Sequence, residues 1–170
     1  MKHALIVVDM QKDFVNGALG TPEAQSMLPR LVSKLESTSK DLFFTQDTHF
    51  EDYLSTQEGK FLPVKHCIKN SEGWKIVPEL EKFIHGAIVI EKPSFGSLDL
   101  PKLLEGYDSI ELVGLCTDIC VISNAMILKA AFPEIPISID PNCCAGVTPE
   151  SHNRALESMK TCQIQIEGDV

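Results

Sequence analysis

The stretch that decides the fold is ELVGLCTDICVISNAM, residues 111–126. It begins inside an apolar run, SIELVG at 109–114, and passes into DICVISNAMILKAAF at 118–132, which has helical spacing. Nearly continuous apolar runs of this kind are typical of strands that are buried on both faces. They recur along the chain as ALIVV (4–8), DLFFT (41–45), GAIVIE (86–91), PISID (136–140) and CQIQIE (162–167).

Segments with helical spacing separate these runs. PEAQSMLPRLVSKLES (22–37) places its apolar residues on one stripe, TPESHNRALESM (148–159) behaves likewise, and a further helix is predicted near 74–84. Strands that alternate with helices predict βαβ units, and hence an α/β protein with a parallel sheet and helices on both faces. The irregular section at 47–73 is long enough to suggest a functional loop.

Length and composition narrow the class of protein. A chain of 170 residues without a linker or repeat predicts a single domain, 1–170. The net charge of -9 argues against nucleic acid or an anionic membrane as a partner. The apolar run in MKHALIVVDM is too short for a signal peptide and no segment has transmembrane length, so we expect a cytoplasmic protein with reduced thiols. The six cysteines form no C-x-x-C pair, and no disulfide framework is predicted.

Reactive side chains follow most of the predicted strands. Parallel sheets bind ligands at the carboxyl ends of their strands, so these side chains are expected to converge on one edge of the sheet. No glycine-rich nucleotide fingerprint follows any strand. In strand order the residues are Asp9, then Asp47 and His49, then Lys92, then Cys116 and Cys120, then Asp140, Cys143 and Cys144.

Cys120 is the candidate nucleophile. It lies near the start of a predicted helix with Thr117 or Asp118 as a possible cap, and a helix N-terminus stabilises a thiolate. Lys92 could stabilise the thiolate by its charge, and Asp9 could accept the thiol proton. The alternative is that Cys120 is a small buried apolar residue, as most free cysteines are.

The other cysteines are assigned to the structure of the protein rather than to its chemistry. Cys116 lies at a strand end without an obvious activator, although its backbone N–H could face an oxyanion. Cys143 and Cys144 are adjacent, so their side chains diverge, and both are interpreted as packing residues. Cys162 is predicted to lie in the core.

A candidate metal site lies in the long loop. Asp47 and His49 are two residues apart, and Glu58 and His66 follow within the same section. Such a mixed oxygen and nitrogen set suits a divalent transition metal, with zinc as the first choice and iron or manganese as alternatives. The alternative is a solvated polar loop. The remaining histidines, His3, His85 and His152, are assigned to the surface or to packing.

Four segments together resemble a known family: IVVDMQKDF, TQDTH, IEKPSFGS and VGLCTDICV. They are similar to the cysteine hydrolases of the isochorismatase-like superfamily and, within it, to nicotinamidases. The resemblance implies a three-layer α/β/α sandwich around a six-stranded parallel sheet. It also implies a small-molecule amide substrate, and hydrolysis of nicotinamide to nicotinate and ammonia through a thioester, with a metal that binds the pyridine nitrogen.

The resemblance also assigns roles to residues. It implies Cys120 as nucleophile, Asp9 as general base and Lys92 as the third catalytic group. It implies an oxyanion hole made by the backbone N–H groups of Cys116 and Cys120, with a cis peptide between Leu115 and Cys116. Its remaining assignments are the metal ligands Asp47, His49 and His66, Glu58 as a possible fourth ligand, and Phe14 against the substrate ring.

The chain departs from the nicotinamidase pattern at the pocket wall. Many nicotinamidases have Trp-Pro-x-His before the metal-binding histidine, whereas here Leu62 replaces the tryptophan and one more residue separates Pro63 from His66. One alternative is therefore a cysteine amidase that acts on another small amide, a carbamoyl compound or a ureide. Two more are a noncatalytic metal-binding or redox-sensing protein and a degenerate member acting as an interaction protein. A homo-oligomer is compatible with the resemblance.

Overall fold

The computed structural model describes residues 1–168, and its strands and helices alternate as predicted. The strands and the helix that follows each of them form βαβ units. The strands are β1 (His3–Val8), β2 (Asp41–Asp47), β3 (Ile88–Lys92), β4 (Ser109–Leu115), β5 (Ile137–Ala145) and β6 (Gln165–Ile166). The helices are α1 (Lys12–Val15), α2 (Pro22–Ser37), α3 (Gln57–Phe61), α4 (Glu81–Ile84), α5 (Leu100–Leu103), α6 (Ile122–Ala131) and α7 (Pro149–Thr161).

The six strands form one parallel sheet in the order β3-β2-β1-β4-β5-β6. The chain moves outward from β1 in one direction and then, from β4, in the other. The strand order therefore reverses between β1 and β4, which is the position where open parallel sheets bind their ligands.

Two apolar cores lie on opposite faces of the sheet. Successive side chains of a strand point to opposite faces, and in β1 Ile6 faces one core while Leu5 and Val7 face the other. The core around Ile6 also contains buried residues of α5, α6 and α7, and the core around Leu5 contains those of α2. The predicted three-layer α/β/α sandwich is confirmed.

Several element bounds differ from the predictions. β5 continues to Ala145 because its pairing with β4 shifts register: Leu112 lies opposite Ile139, but Gly114 lies opposite Cys144. This irregularity inserts extra residues that the apolar pattern does not reveal. The last strand is only Gln165–Ile166, shorter than the predicted 162–167.

The predicted helix near 74–84 is also shorter in the structure. Only a 3-10 turn at Pro78–Leu80 and the single turn of α4 form there. Trp74 instead lies on the loop, where its indole N–H donates to the Thr48 hydroxyl over 2.9 Å. The loop at 47–73 is partly regular, since it contains a 3-10 turn at Tyr53–Ser55 as well as α3. Within residues 1–168, no helix combines the length and apolar character that crossing a bilayer requires.

Gly114 allows β4 to approach β1 closely next to the site. Its φ is +110°, and a Cβ at this position would lie 2.2 Å from the carbonyl oxygen of Val8. Only glycine accepts this conformation and this contact without displacing a neighbour. The peptide between Leu115 and Cys116 that follows is cis, as the resemblance implied.

Candidate functional site

Asp9, Lys92 and Cys120 meet at the end of the sheet where the strand order reverses. Lys92 Nζ lies 2.6 Å from Asp9 Oδ2 and 3.5 Å from Cys120 Sγ, and all three residues are buried. The backbone of Asp9, directly after β1, has a φ of +48°, a conformation that aspartate adopts more readily than most residues. The structure therefore brings together the three residues that were predicted to form a nucleophile, a base and a cationic partner.

Burial and the neighbouring charges shift the pKa values of this group. Burial raises the pKa of Cys120 well above its ordinary value, with Asp9 adding to the effect and Lys92 opposing it. Burial also raises the pKa of Asp9, with the charge of Lys92 as the largest opposing effect. For Lys92, burial acts to lower the pKa, but Asp9 and Cys120 outweigh it and the pKa is raised. Lys92 thus stays protonated, and Cys120 needs a base before it can attack.

Cys120 lies in a wide turn rather than in a regular first turn of helix. Residues Thr117–Val121 form a π-helical segment in which the Cys116 carbonyl accepts from the N–H groups of Ile119 and Val121. The prediction of a Thr117 or Asp118 cap is wrong, because Cys116 is the cap residue and no side-chain cap forms.

Both predicted cap residues bind the β5–α7 region instead. The Thr117 hydroxyl lies 2.7 Å from His152 Nδ1, and the Asp118 carboxylate accepts from the Val147 N–H at 3.2 Å. These two contacts hold the segment that carries Cys120 against α7. His152 is therefore partly buried and hydrogen-bonded, which agrees with its assignment to packing.

The four predicted metal ligands converge in one cluster. One donor atom from each of Asp47, His49, Glu58 and His66 lies within 4.8 Å of all the others. His49 Nε2 lies 3.0 Å from Asp47 Oδ2 and 3.4 Å from Glu58 Oε1. His66 Nε2 lies 3.7 Å and 3.6 Å from the same two oxygens. Both imidazoles and both carboxylates therefore face a common centre.

Hydrogen bonds and neighbouring charges set the orientation and the protonation of these four side chains. His66 Nδ1 lies 2.8 Å from the Val64 carbonyl, which leaves Nε2 free to act as a ligand. Burial opposes protonation of His49, but hydrogen bonds to Asp47 and Glu58 outweigh it and raise the His49 pKa to about 9. Burial likewise opposes ionisation of Asp47, and its bonds to His49 and His66 nonetheless hold its pKa far below the ordinary value. Two imidazoles with two carboxylates fit a divalent metal.

A cavity of about 230 Å³, here called the inner chamber, connects the cysteine with the metal cluster. Of the predicted site residues, Phe14, Asp47, Glu58, His66, Cys116 and Cys120 line it. Phe14 also packs its ring 5.4 Å from that of His66, centroid to centroid. The remaining wall is mainly apolar and includes Leu19, Leu62, Phe95, Ile119 and Val147.

Four residues lie elsewhere than predicted: three were expected at the ligand-binding edge of the sheet and one in the core. Asp140, Cys143 and Cys144 lie within β5, not after it, and Asp140 binds Lys34 at 2.7 Å. Cys143 and Cys144 pack into opposite cores, which agrees with their assignment to packing. The prediction that Cys162 lies in the core is wrong, because the chain turns to the surface after α7 and the residue is exposed.

Sequence reasoning missed Gln11 and Thr45, which hold the site residues. Gln11 is completely buried, and its side-chain amide binds both the N–H and the carbonyl of Asp47, each over 2.8 Å. The Thr45 hydroxyl donates to Asp9 Oδ1 over 2.7 Å. The only signal available for either residue was a polar side chain next to or within an apolar run.

Comparison with known proteins identifies the family of the chain. The model of the isochorismatase domain family matches residues 3–168. The uncharacterized isochorismatase family protein PncA of Bacillus subtilis is 34% identical over 173 residues, which cover 92% of this chain and 93% of that protein. The nicotinamidase/pyrazinamidase of Mycobacterium tuberculosis is 27% identical over 182 residues, which cover 96% and 97%.

Among solved structures, the pyrazinamidase of Pyrococcus horikoshii in complex with zinc superposes with a TM-score of 0.83 at 30% identity, over 98% of each chain. The similarity thus extends over essentially the whole chain, and it includes the elements that carry the cysteine and the metal cluster. The chain belongs to the isochorismatase family.

Proposed function

We propose that the protein is a nicotinamidase, an amide-hydrolysing enzyme that converts nicotinamide into nicotinate and ammonia. The observation that carries the proposal is one chamber with a buried cysteine, paired with a lysine and an aspartate, at one end and a set of metal ligands at the other. The chamber volume of about 230 Å³ suits a single-ring amide, whose carboxamide would lie at Cys120. The nicotinamidase relatives, similar over nearly the whole chain, support the same substrate.

The chemistry of this chain's residues follows from the contacts among Asp9, Lys92 and Cys120. Asp9 takes the proton of the Cys120 thiol, and the thiolate attacks the carboxamide carbon. The backbone N–H groups of Cys116 and Cys120 hold the resulting oxyanion. Asp9 then gives its proton to the departing ammonia, which leaves an acyl thioester on Cys120. A water molecule, deprotonated by Asp9, attacks the thioester, and nicotinate leaves as the thiol is restored.

Lys92 and Phe14 support these steps without forming bonds to the substrate. The ammonium group of Lys92 favours the thiolate and keeps the Asp9 carboxylate oriented. Phe14 offers an apolar face for the substrate ring.

Asp47, His49, Glu58 and His66 would hold a divalent metal. Zinc is the proposed ion because imidazole nitrogens and carboxylate oxygens are among its usual ligands, and a similar pyrazinamidase was solved in complex with zinc. When bound, the ion supplies a Lewis-acid anchor for the ring nitrogen of the substrate. The chain's own part is to fix the donors, through the bond from His66 Nδ1 to Val64 and those from Gln11 to Asp47.

A related cysteine amidase with another small-amide substrate remains the second candidate, because Leu62 lines the chamber where many nicotinamidases have tryptophan. The noncatalytic metal-binding or redox hypothesis is less well supported. It needs Cys116 and Cys120 as ligands or as a redox pair, whereas within residues 1–168 the group of ligands around Asp47 contains no cysteine.

Ammonia release from nicotinamide tests the proposal. The purified protein is assayed with and without a chelator, beside Cys120→Ala and the matched control Cys162→Ala, whose cysteine is exposed. We expect chelator-sensitive release by the wild type and by Cys162→Ala, and none by Cys120→Ala, which should still bind metal. Folded, metal-loaded wild type that releases no ammonia would rule out nicotinamide and direct the search to other small amides.

The proposal also includes the cellular location, the oligomeric state and the domain organisation. The cytoplasm suits a protein whose six cysteines are all free thiols, and a homo-oligomer is compatible with the fold. The whole chain, 1–170, is proposed to act as one domain.

A further inference from the structure

A second cavity, here called the outer cavity, lies beside the inner chamber and has a volume of about 580 Å³. Four residues line both cavities: Glu58, Leu62, Phe95 and Ile119. The two cavities are therefore neighbours that share one wall.

The outer cavity lies beside two of the metal ligands but does not reach the cysteines. The ligand residues His49 and Glu58 line the outer cavity, whereas Cys116 and Cys120 line only the inner chamber. A substrate whose carboxamide lies at Cys120 therefore turns the far edge of its ring toward the outer cavity. An extension on the acyl side would enter it, and an extension on the departing amine would not.

The sizes of the two cavities suit different parts of one ligand. At about 230 Å³, the inner chamber is smaller than the roughly 300–1,000 Å³ of pockets that hold drug-sized ligands, so it suits a single ring. The outer cavity lies inside that range. A ring-sized amide would leave it unfilled.

Large apolar side chains face solvent around the outer cavity. Phe61 is 82% exposed, Phe95 45% and Leu62 38%. Neighbouring exposed apolar residues of this size mark binding surfaces more often than isolated ones do, and covering them is favourable at about 25 cal/mol per Å². Aromatic walls suit an apolar or aromatic group.

We propose that the outer cavity is a second substrate subsite, which takes an apolar substituent carried by the ring of an aromatic carboxamide. The substituent is placed on the ring carbon that is meta to both the carboxamide and the ring nitrogen, since this is the ring carbon adjacent to neither group. Phe61 and Phe95 contact the substituent, and Leu62 lies in the wall that it passes. This inference rests on the proposed function and names a wider substrate class for it.

The test compares nicotinamide with its derivative that carries a propyl group on that ring carbon. Each is assayed with the metal-loaded wild type, with Phe61→Ala and with the matched control Phe50→Ala. Phe50 is 59% exposed and lines neither cavity. We expect the wild type to hydrolyse both amides. Phe61→Ala should lower kcat/KM about tenfold for the propyl amide alone, as loss of a few apolar contacts does. Phe50→Ala should change neither value.

Three results would overturn the subsite. The wild type could hydrolyse nicotinamide but refuse the propyl amide, or Phe61→Ala could behave like Phe50→Ala. Alternatively, Phe61→Ala could dissociate an oligomer without changing the ratio of the two kcat/KM values, which would make this rim a contact between copies of the chain.

Failure of the proposed function would look different, because nicotinamide itself would not be hydrolysed. Calorimetric binding of the two carboxylic acid products then still tests the subsite. Weaker binding of the propyl acid by Phe61→Ala than by the wild type supports it, and equal binding overturns it.

Discussion

Lys92 Nζ lies 2.6 Å from Asp9 Oδ2, and both side chains are completely enclosed by protein. The two residues end β3 and follow β1, strands that are not neighbours, so the lysine reaches across the end of β2 to make the pair. On the way its ammonium group passes 3.4 Å from Asp47 Oδ1. One buried cation therefore connects the proposed base with the metal cluster.

Removal of one partner of this pair should destabilise the protein strongly. We expect Lys92→Met to lower the free energy of unfolding by roughly 3–5 kcal/mol, because it leaves a carboxylate buried without its partner. Urea denaturation measures the change. Adding Asp9→Asn in the same chain should restore part of the loss, because the uncompensated charge is then gone.

The control for the lysine is Lys82→Met, since Lys82 forms an exposed pair with Glu36 at 2.6 Å. Exposed pairs contribute about 0–1 kcal/mol. Equal losses in Lys92→Met and Lys82→Met would contradict the assignment of a buried, energetically coupled pair.

Gln11 should act as a positioning residue for the metal cluster. In Gln11→Glu the amide N–H groups that bind the carbonyls of Asp47 and Trp74 are replaced by a carboxylate oxygen, which those carbonyls repel. We expect metal affinity to fall about 10–100-fold, as it does when outer partners of a ligand are lost. Competition with a chromophoric chelator gives the affinity. The exposed Gln25→Glu makes the same chemical change away from the site, and an equal fall there would refute the role of Gln11.

Gly114→Ala should separate a steric clash from backbone strain. Gly106 also has a positive φ, +81°, but a Cβ there would meet nothing within 4 Å. Gly106→Ala should cost about 1–3 kcal/mol in free energy of unfolding from strain alone. Gly114→Ala should cost about 1–3 kcal/mol more, because its Cβ is forced against the Val8 carbonyl. Thermal or urea unfolding of both variants measures these losses. Equal losses in free energy of unfolding would mean that β4 can move away from β1.

His152 should make stability depend on pH on the acid side. Burial lowers its pKa below the ordinary 6.5, with Asp118 opposing the effect. The unfolded chain then binds the proton more readily than the folded one. The contribution of His152 to the free energy of unfolding is therefore complete above pH 6.5, and it is lost as the pH falls through the pKa of the folded state. The difference in stability between the wild type and His152→Gln should therefore shrink between about pH 8 and about pH 5. A difference that grows toward low pH would reverse the assigned direction.

Much of the fold followed from patterns that are local in the chain. The apolar runs and the helical stripe of 22–37 are set by periodicity, and the parallel order follows from their alternation. The register of β5 was not predictable, because its pairing shift opposite Leu112–Gly114 depends on contacts with β4. The same reason explains why Cys143 and Cys144 were placed beyond the strand.

For the candidate site, too, the sequence predicted the residues but not their contacts. Residue types and spacing alone singled out Asp9, Lys92 and Cys120, and the loop residues Asp47, His49, Glu58 and His66, because reactive side chains after parallel strands share one edge. Only the tertiary structure decided the 2.6 Å contact of Lys92 with Asp9, the hold of Gln11 on Asp47 and the outer cavity at Phe61. These features depend on distances between residues that are far apart in the chain. A sequence pattern indicates the order of the strands and helices and which residues share a face, but not such distances.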